Sequence, residues 1–382
     1  MHNLTVSLVN DIDTFRSMRQ QWNELNDTSD KGTLFSSWEW LFSWWEVYQH
    51  DAKRSLHILC CYQDDTLVGI APFQILNHPT RYFPCSKQLM LLGTGETDGG
   101  LVLTEYLDLI IMAEDASPVI GAFTHSLMQQ QKLWQAASFP QILADSHLEH
   151  LFSGQNLSIK AVKKEYGFRT LINLPDTYKD YLMSLKKKKR NNITRMLTRL
   201  ETEQEYNIEN LSDGLDADVA LDAVADLNRA RRSDMKQDSA FHYPKFEAFH
   251  RLVVKRLLPL NKVEIRVLRI KDEPVAALYS LIDKGILHAY QCGFEAELGH
   301  RYALQTMMIT QEISHCIDNP ELDHFNFMFS EDENSYKLSY SAYTEAMYNL
   351  EFFPNNRRTQ LHQYVHGPLK QKVKSLLGRG KA

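Results

Sequence analysis

Two strand-like hairpins, spaced 207 residues apart, limit the possible folds of this 382-residue chain more than any other feature. Residues 56–63 and 67–76 make up the first hairpin, and residues 263–270 and 274–282 make up the second. A short polar turn joins the two strand-like runs of each pair. Two helical segments precede each hairpin, so the same order of elements occurs twice. The repeat predicts two similar halves, although only four aligned positions of the hairpins are identical.

The segments ahead of the hairpins carry apolar residues at the spacing of a helix. In the first half, residues 12–25 show this pattern, and a second helix is predicted where the sequence reads WEWLFSWWEVY. Ser36 and Glu39 have the S-x-x-E spacing of a capping box at its start. Its aromatic residues, such as Trp40, could form a ligand-stacking platform, but aromatic residues at helical spacing are more often core. The corresponding segments of the second half are residues 217–235 and 244–258.

The length of the chain exceeds what one hydrophobic core usually serves, which agrees with two domains. Strands and helices alternate in each half, and this order predicts an α/β fold with mixed sheets. We expect a first domain at residues 1–165, a second domain at residues 166–353 and a basic tail at residues 354–382. The helical pattern at residues 178–203 is assigned to the second domain.

The tail differs in charge from the rest of the chain, because seven Lys or Arg residues and no acidic residue follow Glu351. Basic segments with interspersed aliphatic residues can bind the anionic inner leaflet of a membrane, and without that contact the tail would be a frayed terminus. The sequence has no run of roughly 18 apolar residues and no secretory signal pattern. We therefore expect a cytoplasmic protein, peripheral on the inner membrane at most.

Several common classes of enzyme find no support in the motifs. Five cysteines occur without a CxxC pair, and the histidines do not cluster, so we expect neither a disulfide framework nor a metal site. The run GTGETDGG at residues 93–100 lacks G-x-G-x-x-G spacing and predicts a turn. Walker A, HExxH and GxSxG motifs do not occur, which leaves NTPase, zinc protease and serine hydrolase activities without support.

Four segments together resemble one group of transferases. They are the helix SLKKKKRNNITRMLTRL, the hairpin and strand ending in YQCGF, the strand, acidic run and YK pair ending at Lys337, and the stretch LLGTGETDGGLVLTEYLDLII. Their order resembles the BioF2-like or CelD-like branch of the GNAT acetyltransferases, which is related to the Fem peptidoglycan aminoacyl-transferases. The resemblance covers most of residues 35–352 and implies a tandem GNAT-like acyl-CoA N-acyltransferase fold.

The resemblance implies acetyl-CoA or another acyl-CoA as the acyl donor. Its pantetheine arm would lie along the strand at residues 287–294, and its pyrophosphate would meet the next helix, whose free N–H groups and dipole favour anions. His300 and Arg301 would add positive charge there, unless they are simply solvated. The family has a glycine where this chain has Ala303. The cofactor-binding residues predicted in this way are Gln291, Cys292, Gly293, Phe294, His300, Arg301, Tyr302 and Ala303.

Acyl transfer from a thioester to an amine needs an N–H donor for the oxyanion, a base for the ammonium and an acid for the leaving thiolate. The resemblance places Lys337 beside the carbonyl under attack and Tyr336 next to it as an acid or a positioning hydroxyl. An exposed lysine and a packing tyrosine are the alternative. Glu105 and Asp108 would face the cleft between the halves, where a carboxylate could deprotonate the amine, or they simply flank a strand.

These residues predict an N-acyltransferase that moves an acyl group, most simply acetyl, to an amine of a cell-envelope or polysaccharide-related acceptor. An amino-sugar, a peptide or a lipid-linked intermediate would serve as that acceptor. Ala303 and Asn326 depart from the family pattern and favour a non-catalytic accessory protein of exopolysaccharide or cellulose biosynthesis instead. A third possibility is Fem-like aminoacyl transfer from tRNA, which would bind through the helix at residues 186–199 with the basic cluster at residues 186–190 on its phosphates. Because the rest of the chain is acidic, we interpret that cluster as a solvated helix face and expect no nucleic-acid partner.

Overall fold

Two β-sheets form the framework of the computed structural model, which describes residues 4–78, 86–97, 100–154, 157–212, 217–356 and 359. One sheet has four strands and the other has eleven. Helices lie between and around the strands, and the predicted mixed α/β fold with two similar halves is confirmed. The tail predicted at residues 354–382 lies almost entirely outside the described residues.

The first half begins with a strand and three helices and ends in a long strand. Its hairpin leads into two further strands before the chain crosses to a short strand and a helix. The elements are β1 (Leu4–Val9), α1 (Ile12–Ser17), α2 (Arg19–Thr28), α3 (Trp38–Tyr48), β2 (Ser55–Leu56), β3 (Ile58–Gln63), β4 (Thr66–Ala71), β5 (Phe73–His78), β6 (Ser86–Leu91), β7 (Ile110–Ile111), α4 (Ala116–Gln129), β8 (Ala136–Leu143) and β9 (Ile159–Asn173).

The second half repeats this order after two added helices. The elements are α5 (Tyr178–Ser184), α6 (Lys187–Glu203), β10 (Tyr206–Asn210), α7 (Ala217–Asp234), α8 (Pro244–Leu257), β11 (Val263–Ile270), β12 (Glu273–Asp283), β13 (Ile286–Phe294), α9 (Ala296–Tyr302), α10 (Leu304–Asp318), β14 (His324–Ser330) and β15 (Tyr343–Pro354).

The repeated hairpins are β3 with β4 and β11 with β12, which confirms both pairings. The strand expected at residues 67–76 is wrong beyond Ala71, because the chain leaves the four-stranded sheet there and β5 joins the other sheet. Pro72 lies at this change of sheet and has no N–H to donate to a continued ladder. The corresponding strand of the second half, β12, continues without a break for 11 residues.

The two halves exchange their last strands. The strand order of the large sheet is β10-β11-β12-β13-β14-β9-β15-β8-β6-β5-β2. Strand β9, from the first half, therefore lies beside β14 of the second half, while β15 lies beside β8 of the first half. Both exchanged strands pair with each other from Tyr343–Leu171 to Pro354–Ile159. The domain boundary expected at residues 165 and 166 lies within β9, a strand that both halves use.

The aromatic helix α3 is part of the core, as its spacing predicted. Trp40 and Trp44 are fully buried, and the indole N–H of Trp40 donates to the Thr104 hydroxyl over 3.0 Å. The capping box predicted at Ser36 is wrong by one residue, because the side chain of Ser37 accepts the N–H of Trp40 and begins the helix. Glu39 is buried and instead accepts hydrogen bonds from Arg19 and Asn23.

Helices cover the second-half sheet on both faces. Helices α6, α9 and α10 pack on one face around Leu200, Tyr302 and Met307, and helix α7 packs on the other. Helix α3 of the first half packs against α8, so the first half extends this second layer. No helix within the described ranges combines the length and the apolar character that a membrane span requires.

Candidate active site

Strands β13 and β14 separate in the middle of the second-half sheet. They pair in parallel only from Ile286–His324 to His288–Asn326. Both strands are irregular just beyond this point, with a shift of register in β13 next to Tyr290 and another in β14 between Asn326 and Phe329. We call the space between residues 289–294 of β13 and residues 327–330 of β14 the strand gap.

The backbone of β13 directs N–H groups into the strand gap. The N–H of Glu295 donates to the carbonyl oxygen of Val275 on β12 over 2.8 Å. Because successive N–H groups of a strand point to opposite sides, Gly293 also faces β12, whereas Cys292 and Phe294 face the gap. These two N–H groups have the placement that an oxyanion or a pantetheine amide requires.

Glu105 reaches the strand gap from the first half. Its side chain is fully buried, and Oε1 accepts the N–H of Phe329 on β14 over 3.1 Å. Burial raises the pKa of Glu105 from 4.5 to about 7, while the Tyr106 hydroxyl, the Phe329 N–H, Lys337 and Arg169 lower it. A carboxyl group with this pKa is partly ionised at neutral pH and can exchange a proton with a bound amine.

Lys337 lies on the other side of the irregular part of β14. Its Nζ donates to the carbonyl oxygens of Phe327, Met328 and Phe329 over 2.8, 3.2 and 2.6 Å. Burial lowers the pKa of Lys337 to about 8, opposed by the charge of Glu105. Since all three protons of the ammonium are engaged, Lys337 holds the shape of β14 and places a cation beside the gap.

Two strained residues flank this arrangement. Tyr106 and Met328 have φ angles of 60° and 61°, in the left-handed region that side chains other than glycine rarely adopt. Asn326 supports both, because its Oδ1 accepts the N–H of Met328 and its Nδ2 donates to the Tyr106 hydroxyl. Backbone strain of this kind concentrates at functional sites, where surrounding contacts maintain it.

Tyr336 and Cys292 lie at the mouth of the strand gap. The Tyr336 side chain is exposed, and its hydroxyl accepts a hydrogen bond from Gln305 on α10 over 3.1 Å. The guanidinium of Arg231 donates to the sulfur of Cys292 over 2.9 Å. The pKa of Tyr336 is raised, chiefly because the neighbouring protein atoms displace part of the water that would solvate the phenolate, and the Cys292 thiol adds to the increase.

Comparison with known families gives a match over the second half of the chain. Residues 187–338 match the family described as an acetyltransferase (GNAT) domain. The chain has a tandem GNAT-like fold. The BioF2-like or CelD-like branch within the GNAT acetyltransferases stays a prediction, and no curated protein sequence matches the chain.

Solved structures share the whole architecture of the two GNAT-like halves. FemX is 10% identical with a TM-score of 0.60, over 90% of this chain and 98% of that chain. A conserved protein of unknown function from Bacteroides thetaiotaomicron is 12% identical with a TM-score of 0.51, over 91% and 100% of the two chains. The C-terminal domain of a protein from Agrobacterium fabrum, described as a lysylphosphatidylglycerol synthetase, is 12% identical with a TM-score of 0.50, over 88% and 92%. Identities this low show the fold alone.

Within the segment that matches the GNAT domain, helix α10 begins beside the mouth of the gap. Ala303 precedes it with φ at 52°, the left-handed conformation that glycine adopts without strain. Alanine therefore keeps the backbone shape expected where the family has a glycine. On α9, Arg301 pairs with Glu203 over 2.6 Å, and His300 lies 3.3 Å from Asp234. Both predicted phosphate ligands thus have acidic partners in this structure, whereas Tyr302 is buried.

Asp108 lies away from the strand gap, and the N–H of Gly293 faces away from it. The buried Asp108 carboxylate accepts the N–H groups of Leu109, His147 and Leu148 over 2.7 to 3.2 Å, and burial raises its pKa to about 7. At Gly293 a Cβ would lie 2.2 Å from the backbone nitrogen of Asn228 on α7. Gly293 therefore permits close packing of α7 on β13. Asp108 lies two residues before β7, as the strand-flanking alternative suggested, whereas Gly293 lies within β13.

Sequence reasoning missed a buried polar group behind the gap. It consists of Arg169 on β9, Tyr106, Asn326 and His288 on β13. A charged residue between apolar strand positions, as in GFRTLIN, was the available signal for Arg169. Within the described residues, no cluster of three or more His, Cys, Asp or Glu side chains could hold a metal ion.

Proposed function

We propose that this protein transfers an acyl group from acyl-CoA to an amine at the strand gap. One observation carries the proposal: strands β13 and β14 separate, and the buried carboxyl group of Glu105, whose pKa is about 7, lies where they do so. The N–H groups of Cys292 and Phe294 would bind the pantetheine amide and the developing oxyanion. An amine acceptor of the cell envelope or of polysaccharide assembly would enter from the cleft between the halves.

The reaction would use residues of both halves. Glu105 would take a proton from the attacking ammonium, and the amine nitrogen would then attack the thioester carbonyl carbon. The carbon–sulfur bond would break, and Tyr336 would protonate the departing thiolate. The second proton, which the nitrogen loses as the amide forms, would restore the Tyr336 hydroxyl. Lys337 would keep a cation close to the developing negative charge while it maintains the shape of β14.

Calorimetric titration with CoA and acetyl-CoA tests the donor site directly. We expect saturable binding, because the gap presents main-chain donors and the mouth presents the first turn of α10. Lys337→Gln should reduce transfer about 100-fold or more, whereas exposed Lys132→Gln in the first half should leave transfer unchanged. Absence of binding at millimolar CoA would remove the donor site, and a non-catalytic scaffold would then be the better account.

A second candidate is aminoacyl transfer from tRNA. Residues 186–190 are five consecutive cations at the start of α6, and no ion pair among the described residues involves them. Cations are unfavourable at a helix N-terminus, so an external anion would relieve them. Lys189 lies 3.6 Å from the Tyr340 ring centre, and the Tyr340 hydroxyl donates to Thr306 in the first turn of α10. Salt-sensitive tRNA binding without CoA binding would favour this candidate.

A further inference from the structure

A cavity of about 240 Å³ lies between the two halves, at the end of β13 that is paired with β14. The loop at residues 30–33 and the segment 106–108 form its first-half wall, and Arg169, Lys284 and His288 contribute from the large sheet and its turn. His288 and Asn326 are the last paired residues before the strand gap. The cavity and the gap are therefore separated by this one pair of side chains and by Tyr106.

Most charged groups in the cavity wall already have partners. Asp108 accepts three backbone N–H groups, and Asp283 accepts the N–H of Leu34 over 2.7 Å. Lys284 donates to the carbonyl oxygens of Asn26 in the last turn of α2 and of Ser29 and Gly32 in the loop that follows. Lys31 pairs with Asp145 and lies 3.8 Å from Asp30. These groups give the wall its shape and have little capacity left for a ligand.

Arg169 differs from the other charged groups of the wall. Its Nε is buried and has no hydrogen-bond acceptor, and the nearest carboxylate, Glu345, lies 3.5 Å from Nη1. The guanidinium stacks on the ring of Tyr106 at 4.6 Å, which fixes its plane. A buried guanidinium N–H without an acceptor is costly unless an anion completes its hydrogen bonds.

His288 adds a second donor to the same wall. The amide of Asn326 is oriented by the N–H of Met328, which donates to Oδ1. Its Nδ2 therefore donates to Nδ1 of His288 over 2.9 Å, and the ring proton of the neutral imidazole lies on Nε2. An aspartate at position 326 could not donate this bond, so asparagine here determines which nitrogen of His288 can donate.

We propose that the cavity binds a small amine that also carries a carboxylate or a phosphate, with Arg169 and His288 as donors to the anionic group. The volume is below the usual range of about 300–1,000 Å³ for ligand pockets, and it fits a molecule of amino-acid size or one end of a larger acceptor. The assignment of this molecule as the acceptor rests on the proposed function. Glu105, which would accept the proton of the amine, lies beyond Tyr106 and is not part of the cavity wall, so the amine would have to extend past Tyr106 to reach it.

Three amines of similar size test the proposal by saturation-transfer NMR: β-alanine, O-phosphoethanolamine and propylamine. We expect saturable binding of at least one anionic amine and about 10- to 100-fold weaker binding of propylamine, since a hydrogen bond to a charged group contributes about 1.5–3 kcal/mol. Comparison of β-alanine with O-phosphoethanolamine distinguishes a carboxylate site from a phosphate site.

Arg169→Gln should abolish the preference for the anionic amine, and Lys164→Gln, the same charge change at an exposed position of β9, should retain it. Arg169→Lys keeps the charge but loses the stacked guanidinium, so we expect an intermediate loss; this variant serves also if the glutamine variant does not fold. Equal binding of propylamine, no binding of either anionic amine, or an unchanged preference in both Arg169 variants would overturn the proposal. CoA affinity, measured separately, should be the same in wild type and Arg169→Gln. A protein that does not bind CoA would refute the proposed donor site, and this result is distinct from a failure of the cavity to bind anionic amines.

Discussion

Replacing Glu105 by glutamine should change how the free energy of unfolding depends on pH. Glutamine has nearly the same shape and retains an oxygen that accepts the N–H of Phe329, but it does not ionise. The buried carboxyl group has a pKa of about 7 in the folded protein, compared with 4.5 for an exposed glutamic acid. The difference arises chiefly from burial, which penalises the carboxylate.

The sign of the effect follows from proton binding. Between pH 4.5 and 7 the folded protein holds a proton on Glu105 that the unfolded chain has released, so the wild type loses stability as the pH rises. At about 1.4 kcal/mol for each pH unit, the loss is on the order of 3 kcal/mol and is complete above pH 7. The glutamine variant has no such loss at this position.

Urea unfolding of both proteins at a series of pH values measures the effect. Between pH 4.5 and 7, the free energy of unfolding of the variant should rise by about 3 kcal/mol relative to that of the wild type. Above pH 7 the difference should stay constant. Glu203→Gln is a suitable control, because hydrogen bonds from Arg301 and Arg199 hold the pKa of Glu203 at about 2, below this window. A constant difference between wild type and Glu105→Gln across the window would refute the assignment of a raised pKa to Glu105.

Three further predictions concern the scaffold of the site. Ala303→Gly should raise the free energy of unfolding by about 1 kcal/mol in urea titrations, because glycine adopts φ 52° without strain, and a decrease would contradict this reading. In the same assay, Gly293→Ala should lower the free energy of unfolding by about 1–3 kcal/mol or more, since the new Cβ meets the backbone of α7. The control Gly121→Ala, in α4, places its Cβ in open space and should raise the free energy of unfolding by about 1 kcal/mol. Calorimetry should give one unfolding transition for both halves because of the exchanged strands; two resolved transitions would show that the halves are independent.

The sequence predicted elements well where the signal was local. The hairpins β3–β4 and β11–β12 follow from short apolar runs around polar turns, and α3 follows from its aromatic spacing. The helical pattern at residues 178–203 was predicted as one run, yet the structure divides it at Leu185 and Lys186 into α5 and α6. Apolar spacing continues across that break, so periodicity alone could not reveal it.

Pairing between distant strands was beyond what local patterns contain. Nothing in the side chains of β9 and β15 indicates that they pair with each other, because both have mixed polar and apolar residues on two faces. The same limit applies to the site. Glu105 and Lys337 were selected from a family resemblance, and their closeness depends on a first-half segment that crosses the second-half sheet.

The exchange of β9 and β15 has a consequence for folding during synthesis. Strand β8 belongs to the first half but pairs with β15, which is about 200 residues further along the chain. A ribosome that has completed the first half therefore releases a sheet with an open edge, and unpaired strand edges are prone to association with other chains. We expect the nascent first half to need protection until residues 343–354 have emerged.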